Sequence, residues 1–213
     1  MVRFSSPAPS WKINLSRIMS QVEIDTVLSD LTPKSRQNPQ AFVRLVIFRL
    51  AVFSGVRASE LAGLRMQDVA LDSDLPVIRV RAETAKGHKS REIPLFSEAT
   101  RSDLLRWKML RTSQGATATD PFVCSVSKNS LGHSFTRQSV RNRFRQALKC
   151  LGKERAASLS VHDGRHVFCS MSIHKGVPIA LVRDSLGHSS ISITNLYTGL
   201  FRSRSGFTYS LDS

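Results

Sequence analysis

Cysteine is scarce in this 213-residue chain. Cys124, Cys150 and Cys169 are an odd number with no Cys-x-x-Cys spacing among them. That count argues against a disulfide framework and against a zinc site, and reads as three reduced, structural thiols of a cytoplasmic protein. Acidic residues are few as well: 16 Asp+Glu face 31 Lys+Arg, for a net charge of +15 and a pI near 10.8. Such an excess attracts polyanions and makes their binding fall steeply with salt, although alone it would equally suit a ribosomal or membrane-surface protein. Long uncharged apolar runs are missing. Leu45 to Phe53 is interrupted by Arg49 and reads as a buried core helix, so no bilayer span is expected. Met1-Val2-Arg3-Phe4-Ser5-Ser6-Pro7 has no signal-peptide pattern. There is no internal repeat, heptad run or low-complexity tract. Tyrosine is rarest of the reactive types, with Tyr197 and Tyr209 alone. At 41% hydrophobic residues, one domain with a sizeable core is the expectation.

What is present has helical periodicity with clear punctuation. Ser20-Gln21-Val22-Glu23 is a capping box opening an amphipathic helix with Ile24, Val27, Leu28 and Leu31 inward. Thr32 to Gln40 reads as a Pro-containing polar loop. Ala41 to Ser54, apolar on most faces, reads as the central helix, stopped by Gly55. Val77 to Thr84 and Ser90 to Leu95 flank Lys86-Gly87-His88-Lys89 as a β-hairpin. Ser97 opens a helix through Leu110, with Leu104, Leu105, Trp107 and Leu110 as core candidates, and Phe122 to Ser125 reads as a short strand. Thr136 caps a helix with Val140, Phe144, Ala147 and Leu148 inward. Arg137, Arg141, Arg145 and Lys149 recur on it at i+4 spacing, a cationic stripe suited to a phosphate backbone and equally readable as a solvated face. Ser160 precedes a helix bearing His162, Arg165 and His166; Gly176 ends it, Pro178 starts the next, and Gly187 ends that one.

Six polar residues carry the chemistry: Arg57, Lys86, His162, Arg165, His188 and Tyr197. A phosphodiester is anionic, and its displacement transition state gathers more charge on the non-bridging oxygens. Arg57 and Arg165 each offer a planar fork of donors to those oxygens. His162 and His188 supply further hydrogen bonds, and either can move a nucleophile's proton. A phenol with a reference pKa of about 10 needs cationic neighbours to become a nucleophile, as Tyr197 would. Lys86 at a hairpin tip is the natural general acid for the departing sugar oxygen, with Lys89 its rival. No metal is required by such a set. Taken singly, each residue has a plainer reading: a helix-start Arg, a solvated Lys, a helix-boundary His, a packed Tyr. Leu131-Gly132-His133 even repeats the tripeptide around His188. Taken in this order, with His-x-x-Arg and a Gly-His nine residues before a Tyr, coincidence is a poor explanation.

These residues resemble the tyrosine recombinase (phage integrase) family. One signature is matched by Ser54-Gly55-Val56-Arg57-Ala58-Ser59-Glu60-Leu61 running on to Gly63-Leu64-Arg65. The other is matched by His162-Asp163-Gly164-Arg165-His166, Gly176-Val177-Pro178, Leu186-Gly187-His188-Ser189-Ser190-Ile191 and Tyr197-Thr198. The likeness covers roughly Leu15 to Leu200. It implies an α+β, mainly α-helical catalytic-domain fold with a small antiparallel sheet. It also implies a 3′-phosphotyrosyl intermediate on Tyr197, clamped by Arg57, His162, Arg165 and His188, with Lys86 favoured over Lys89 as acid. Gly164 departs from the leucine usual in the family. About twenty residues precede the catalytic pattern, so a compact enzyme without the N-terminal core-binding domain is expected, as in the fimbrial phase-variation recombinases.

The resulting expectation is a site-specific DNA recombinase. Residues 1–19 form a tail, 20–200 the catalytic domain and 201–213 a flexible tail containing Arg-Ser-Arg-Ser. Lys89, Arg91, Arg137, Arg141, Arg145 and Lys149 are the candidate contacts to the DNA backbone. The partners expected are double-stranded DNA and further copies of the chain, as a tetramer on DNA, in the cytoplasm at the nucleoid. No cofactor and no membrane is expected. Two rivals remain from the residues alone: a type IB topoisomerase-like nicking-resealing enzyme, and a non-catalytic DNA-binding remnant of a mobile element.

Overall fold

A computed structural model describes residues 15–85 and 87–187. Its centre is helix α2 (Pro39–Phe53), in which every residue from Leu45 to Phe53 is buried. Asn38 caps it by accepting from the amides of Gln40 and Ala41, and Pro39 occupies the first turn, where its missing N–H costs nothing. Around α2 pack α1 (Gln21–Ser35), α5 (Arg137–Ala147) and α7 (Val161–His174). The short α3 (Ala58–Ala62) leaves α2 through Ser54-Gly55-Val56-Arg57, and α4 (Glu98–Ser113), α6 (Lys153–Ser158) and α8 (Ile179–Leu186) complete the helical elements discussed below. In the middle of α2 an ion pair joins Arg49 Nε to Asp103 of α4 at 3.0 Å, both nearly sealed from water.

Beside the helices lies a three-stranded antiparallel sheet in the order β1 (Val69–Ala70), β2 (Val77–Val80), β3 (Arg91–Pro94). Ile78 pairs with Ile93 and both are buried, while the neighbouring pair Arg79 and Glu92 faces water, the alternation of a sheet with one wet face.

The cap signals hold: Ser20 with Glu23, Thr136 with the Ser139 amide, and Gly187 in the left-handed region after α8. Four expectations do not. The loop expected over Thr32 to Gln40 is only residues 36–38, because α1 continues through Pro33 to Ser35. Pro33 sits in the last turn, where one lost backbone bond is cheap, and Ser35 Oγ closes that turn on Thr32 O. Phe122 to Ser125 is buried but makes one isolated bridge, Cys124 to Ser134, with a second, Arg65 to Pro121, just before it, since among the described residues no second strand runs beside it. The hairpin strands are shorter than expected. Beyond Val80 the chain turns at Arg81, whose guanidinium is drawn back to Asp68 (2.9 Å) and to Gly63 O (2.6 Å). The described part of the expected tail is no tail: Ile18 and Met19 are core residues, and Arg155 clips the segment down through Glu23, Ser16 O and Ile18 O.

Candidate active site

Arg57 is held by its own helix. As N-cap of α3 it donates its backbone N–H to Glu60 Oε2 (2.8 Å), and its guanidinium reaches Glu60 Oε1 (2.9 Å). Glu60 is 1% exposed. Its carboxylate is also gripped in a two-pronged fork by Arg91 of β3, at 3.0 and 2.8 Å. Burial pushes the Glu60 pKa up, but the Arg91 bonds and charge, with those of Arg57, outweigh it and hold the group below its ordinary value. The turn before Arg57 depends on Gly55, which has φ +63°. A Cβ there would come within 2.8 Å of Leu186 Cδ2 and of Phe168 Cδ1, so a side chain is excluded by both conformation and space.

Arg165 lies behind Arg57 on α7, 2% exposed. Its guanidinium donates to Gly55 O (2.9 Å) and to Leu186 O. It thereby ties the end of α2 to the end of α8. Burial, then the charges of Arg57 and Arg91, lower its pKa to about 9. Three guanidiniums thus share one buried carboxylate, leaving a surplus of two positive charges in a region of low polarisability. An anion is what such a cluster lacks.

His162 stands one turn before Arg165 at the exposed start of α7. Partial withdrawal from water, then the Arg165 and Arg57 charges, lower its pKa, so it is neutral near pH 7. His166 meets it edge to face, ring centres 4.6 Å apart. Burial and the His162 neighbour take the His166 pKa down to about 4. Asp163 fixes the start of α7. It accepts from the Ser160 amide (2.7 Å) and hydroxyl (2.6 Å), and Arg17 pairs with it at 3.0 Å.

Arg57 and His162 open onto a cleft of about 820 Å³. Ala58, Ser59, Ser160 and Val161 line it with them, and Arg137, Gln138, Arg141 and Arg145 form the opposite wall from α5. Three members of the i+4 stripe therefore share a cleft with two of the six chemical groups. Lys149, the fourth, lies past the end of α5 in the 3-10 turn Leu148–Leu151 and does not line the cleft. Lys89 is exposed beside the hairpin. Arg91 departs from its expected place: it points inward, spent on Glu60 and on Ser185 O (2.8 Å) rather than offered to a backbone phosphate. Lys86, His188 and Tyr197 lie outside the described residues.

From the sequence alone Glu60 reads equally as a carboxylate buttressing Arg57 and as a solvent-facing glutamate, and neither Asp163 nor Arg17 stands out. The first two had a signal, an acid three residues after Arg57 and after Ser160, which is the capping-box spacing. Arg17 had none. Cys124 and Cys169 are buried and Cys150 is exposed, all as free thiols; burial lifts Cys169 to about 12. No group of three or more His, Cys, Asp or Glu stands together as a metal site among the described residues, nor is any described helix long and apolar enough to cross a membrane.

A helical bundle around one buried helix, flanked by a three-stranded sheet and closed by two arginines on separate helices, is the catalytic-domain fold of the tyrosine recombinases. XerA recombinase is similar at a TM-score of 0.65 and 22% identity, over 87% of this chain and 63% of that one. The XerH site-specific recombinase bound to its difH substrate is similar at 0.65 and 20%, over 88% and 53%. The Tn1549 transposon integrase in complex with circular intermediate DNA is similar at 0.60 and 19%, over 89% and 67%. In sequence, the profile of the phage integrase family matches residues 18–204, and the chain belongs to that family. Tyrosine recombinase XerD of Lacticaseibacillus casei is 28% identical over 187 residues, 88% of this chain and 59% of XerD. XerC of Thermodesulfovibrio yellowstonii is 30% identical over 207 residues, 88% and 63%; XerH of Campylobacter jejuni is 28% identical over 191 residues, 90% and 50%. The chain thus spans 50–63% of the length of these curated relatives.

Proposed function

We propose that this protein is a site-specific DNA recombinase that cuts and rejoins DNA through a phosphotyrosine. The observation that carries the reading is the cleft in which Arg57 and His162 face the α5 arginines. Reactive-centre donors on one wall and backbone-tracking cations on the other suit a single bound duplex. The scissile phosphate sits against Arg57, with the buried charge of Arg165 behind it, and that surplus charge is stronger in effect on the transition state than on the ground state. Tyr197 attacks phosphorus, and its phenolic proton passes to an imidazole, that of His162 or of His188. The bond from phosphorus to the 5′ oxygen breaks, and Lys86 gives that oxygen a proton. The 3′ phosphate stays on Tyr197 until a 5′ hydroxyl reverses the step. The cations supply the charge stabilisation that a metal gives elsewhere, so the reaction proceeds without one. Assembly as a tetramer on DNA, at the nucleoid, belongs to the same reading.

The test is covalent trapping on nicked duplexes spanning the DNA around the coding locus, read on a denaturing gel with mass spectrometry of any shifted band. An adduct mapped to Tyr197, absent from Tyr197→Phe and kept in Tyr209→Phe, is the expected result, undiminished by chelators. Salt-sensitive DNA binding with no adduct on any duplex would favour a DNA-binding remnant instead.

A further inference from the structure

Arg91 is the most heavily engaged cation next to the candidate site, and none of its bonds is of the kind a DNA contact leaves. Its guanidinium makes the two-pronged fork on Glu60, and its Nε donates to Ser185 O at 2.8 Å. Its stem packs on the backbone where α8 ends, since a Cβ on Gly187 would lie 3.3 Å from Arg91 Cδ. Three segments meet on this one side chain. They are β3, which follows the Lys86 loop, the α3 carboxylate that holds Arg57, and the α8 terminus that leads into His188. Arg165 reaches the same terminus independently through Leu186 O.

We propose that Arg91 is a positioning residue for strand cleavage: it sets Glu60, and through Glu60 the Arg57 guanidinium, in register with the end of α8. This rests on the cleavage reading above. Arg91 is 9% exposed in its side chain and has its fork committed to a carboxylate, so it does not bind phosphate itself. A lysine would keep the charge but not the geometry, because a single ammonium cannot span both Glu60 oxygens and Ser185 O together. Among the described residues, loss of Arg91 leaves Glu60 with Arg57 as its bonded partner and the Arg165 charge beyond it. Burial then pushes its carboxyl up. Protonated Glu60 would release the Arg57 guanidinium, and a shift of about 1 Å at a clamp costs on the order of 100-fold in rate.

The experiment measures Arg91→Lys and Arg91→Ala for duplex affinity across a salt series, for single-turnover formation of the phosphotyrosine adduct against pH, and for Glu60 titration by carboxyl ¹³C NMR on the DNA-free protein. Expected are an affinity within about threefold of the parent and an unchanged salt dependence. Cleavage should slow about 100-fold in Arg91→Ala and by at least tenfold in Arg91→Lys. The Glu60 titration should move up in both, with a new acid-side fall in cleavage at the same pH, absent when Glu60→Gln is added. Unaltered cleavage and an unmoved Glu60 would overturn the proposal. So would a parallel loss of affinity and salt dependence, the mark of a phosphate contact. If Arg91→Ala does not fold, Arg91→Lys decides alone. If the parent chain forms no adduct, the cleavage reading fails, while the NMR titration still tells whether Arg91 sets Glu60.

Discussion

The α5 stripe gives a prediction whose size follows from counting. Arg137, Arg141 and Arg145 line the cleft opposite Arg57 and His162, whereas Lys149, at the same spacing in sequence, lies beyond the helix end. Each phosphate neutralised on B-form DNA contributes about 0.9 to the slope of log affinity against log salt. Three cleft arginines therefore account for a slope of about 2.7, and over a fourfold rise in salt, from roughly 50 to 200 mM, for a roughly 40-fold loss of affinity. Replacing all three by Ala should weaken binding at low salt and remove that 40-fold component. Lys149→Ala should leave the slope unchanged. Fluorescence anisotropy of a labelled duplex across the salt series measures both. A triple variant with the parental slope, or a Lys149→Ala slope reduced by about one, would refute the placement of DNA in this cleft.

Stability offers two further checks. Asp103→Ala removes the carboxylate paired with Arg49, whose side chain is 5% exposed, and should cost about 3 kcal/mol by urea denaturation, whereas Arg49→Met with Asp103→Leu should come close to neutral. His166 titrates at about 4 in the folded chain and near 6.5 when unfolded, so the unfolded state binds its proton first. Stability is then full above about pH 6.5 and is lost as pH falls toward 4. Thermal melts at a series of pH values should show that loss, lessened in His166→Gln.

Where a signal was local, the sequence was legible. Ser20, Thr136 and Ser160 cap helices at the residues expected, and the core faces of α1 and α5 carry the apolar positions read from their period. The order of the elements around Arg57 and the His162–Arg165 pair could also be read. Pairings between distant segments could not. Strand β1 has two residues and no period of its own; it exists because β2 offers it a partner. Residues 122–125 have a strand's composition but bond their neighbours only at isolated points, at Leu64 and around His133, not along a ladder. Arg91 shows the same limit in the site: an Arg beside a Lys-rich hairpin looks like a phosphate contact until Glu60, 31 residues away, is seen beneath it. Arg17 and Asp163 are separated by 146 residues, and nothing in either neighbourhood announces the other.

Gly164 carries a consequence for how finely this protein can be tuned. A Cβ at that position would sit 3.2 Å from the carbonyl carbon, the oxygen and the Cβ of Ala51, so α7 lies directly against the backbone of α2. Adding a methyl group there favours the helix by about 1 kcal/mol, while asking two rigid cylinders to part by a few tenths of an ångström. His162 and Arg165 ride on the cylinder that moves, and Arg57 stays with the one that does not. The glycine acts as a spacer of zero thickness between two halves of a tool. Its substitution would open the jaws without removing a single tooth, and a chain that melts later could at the same time cut more slowly.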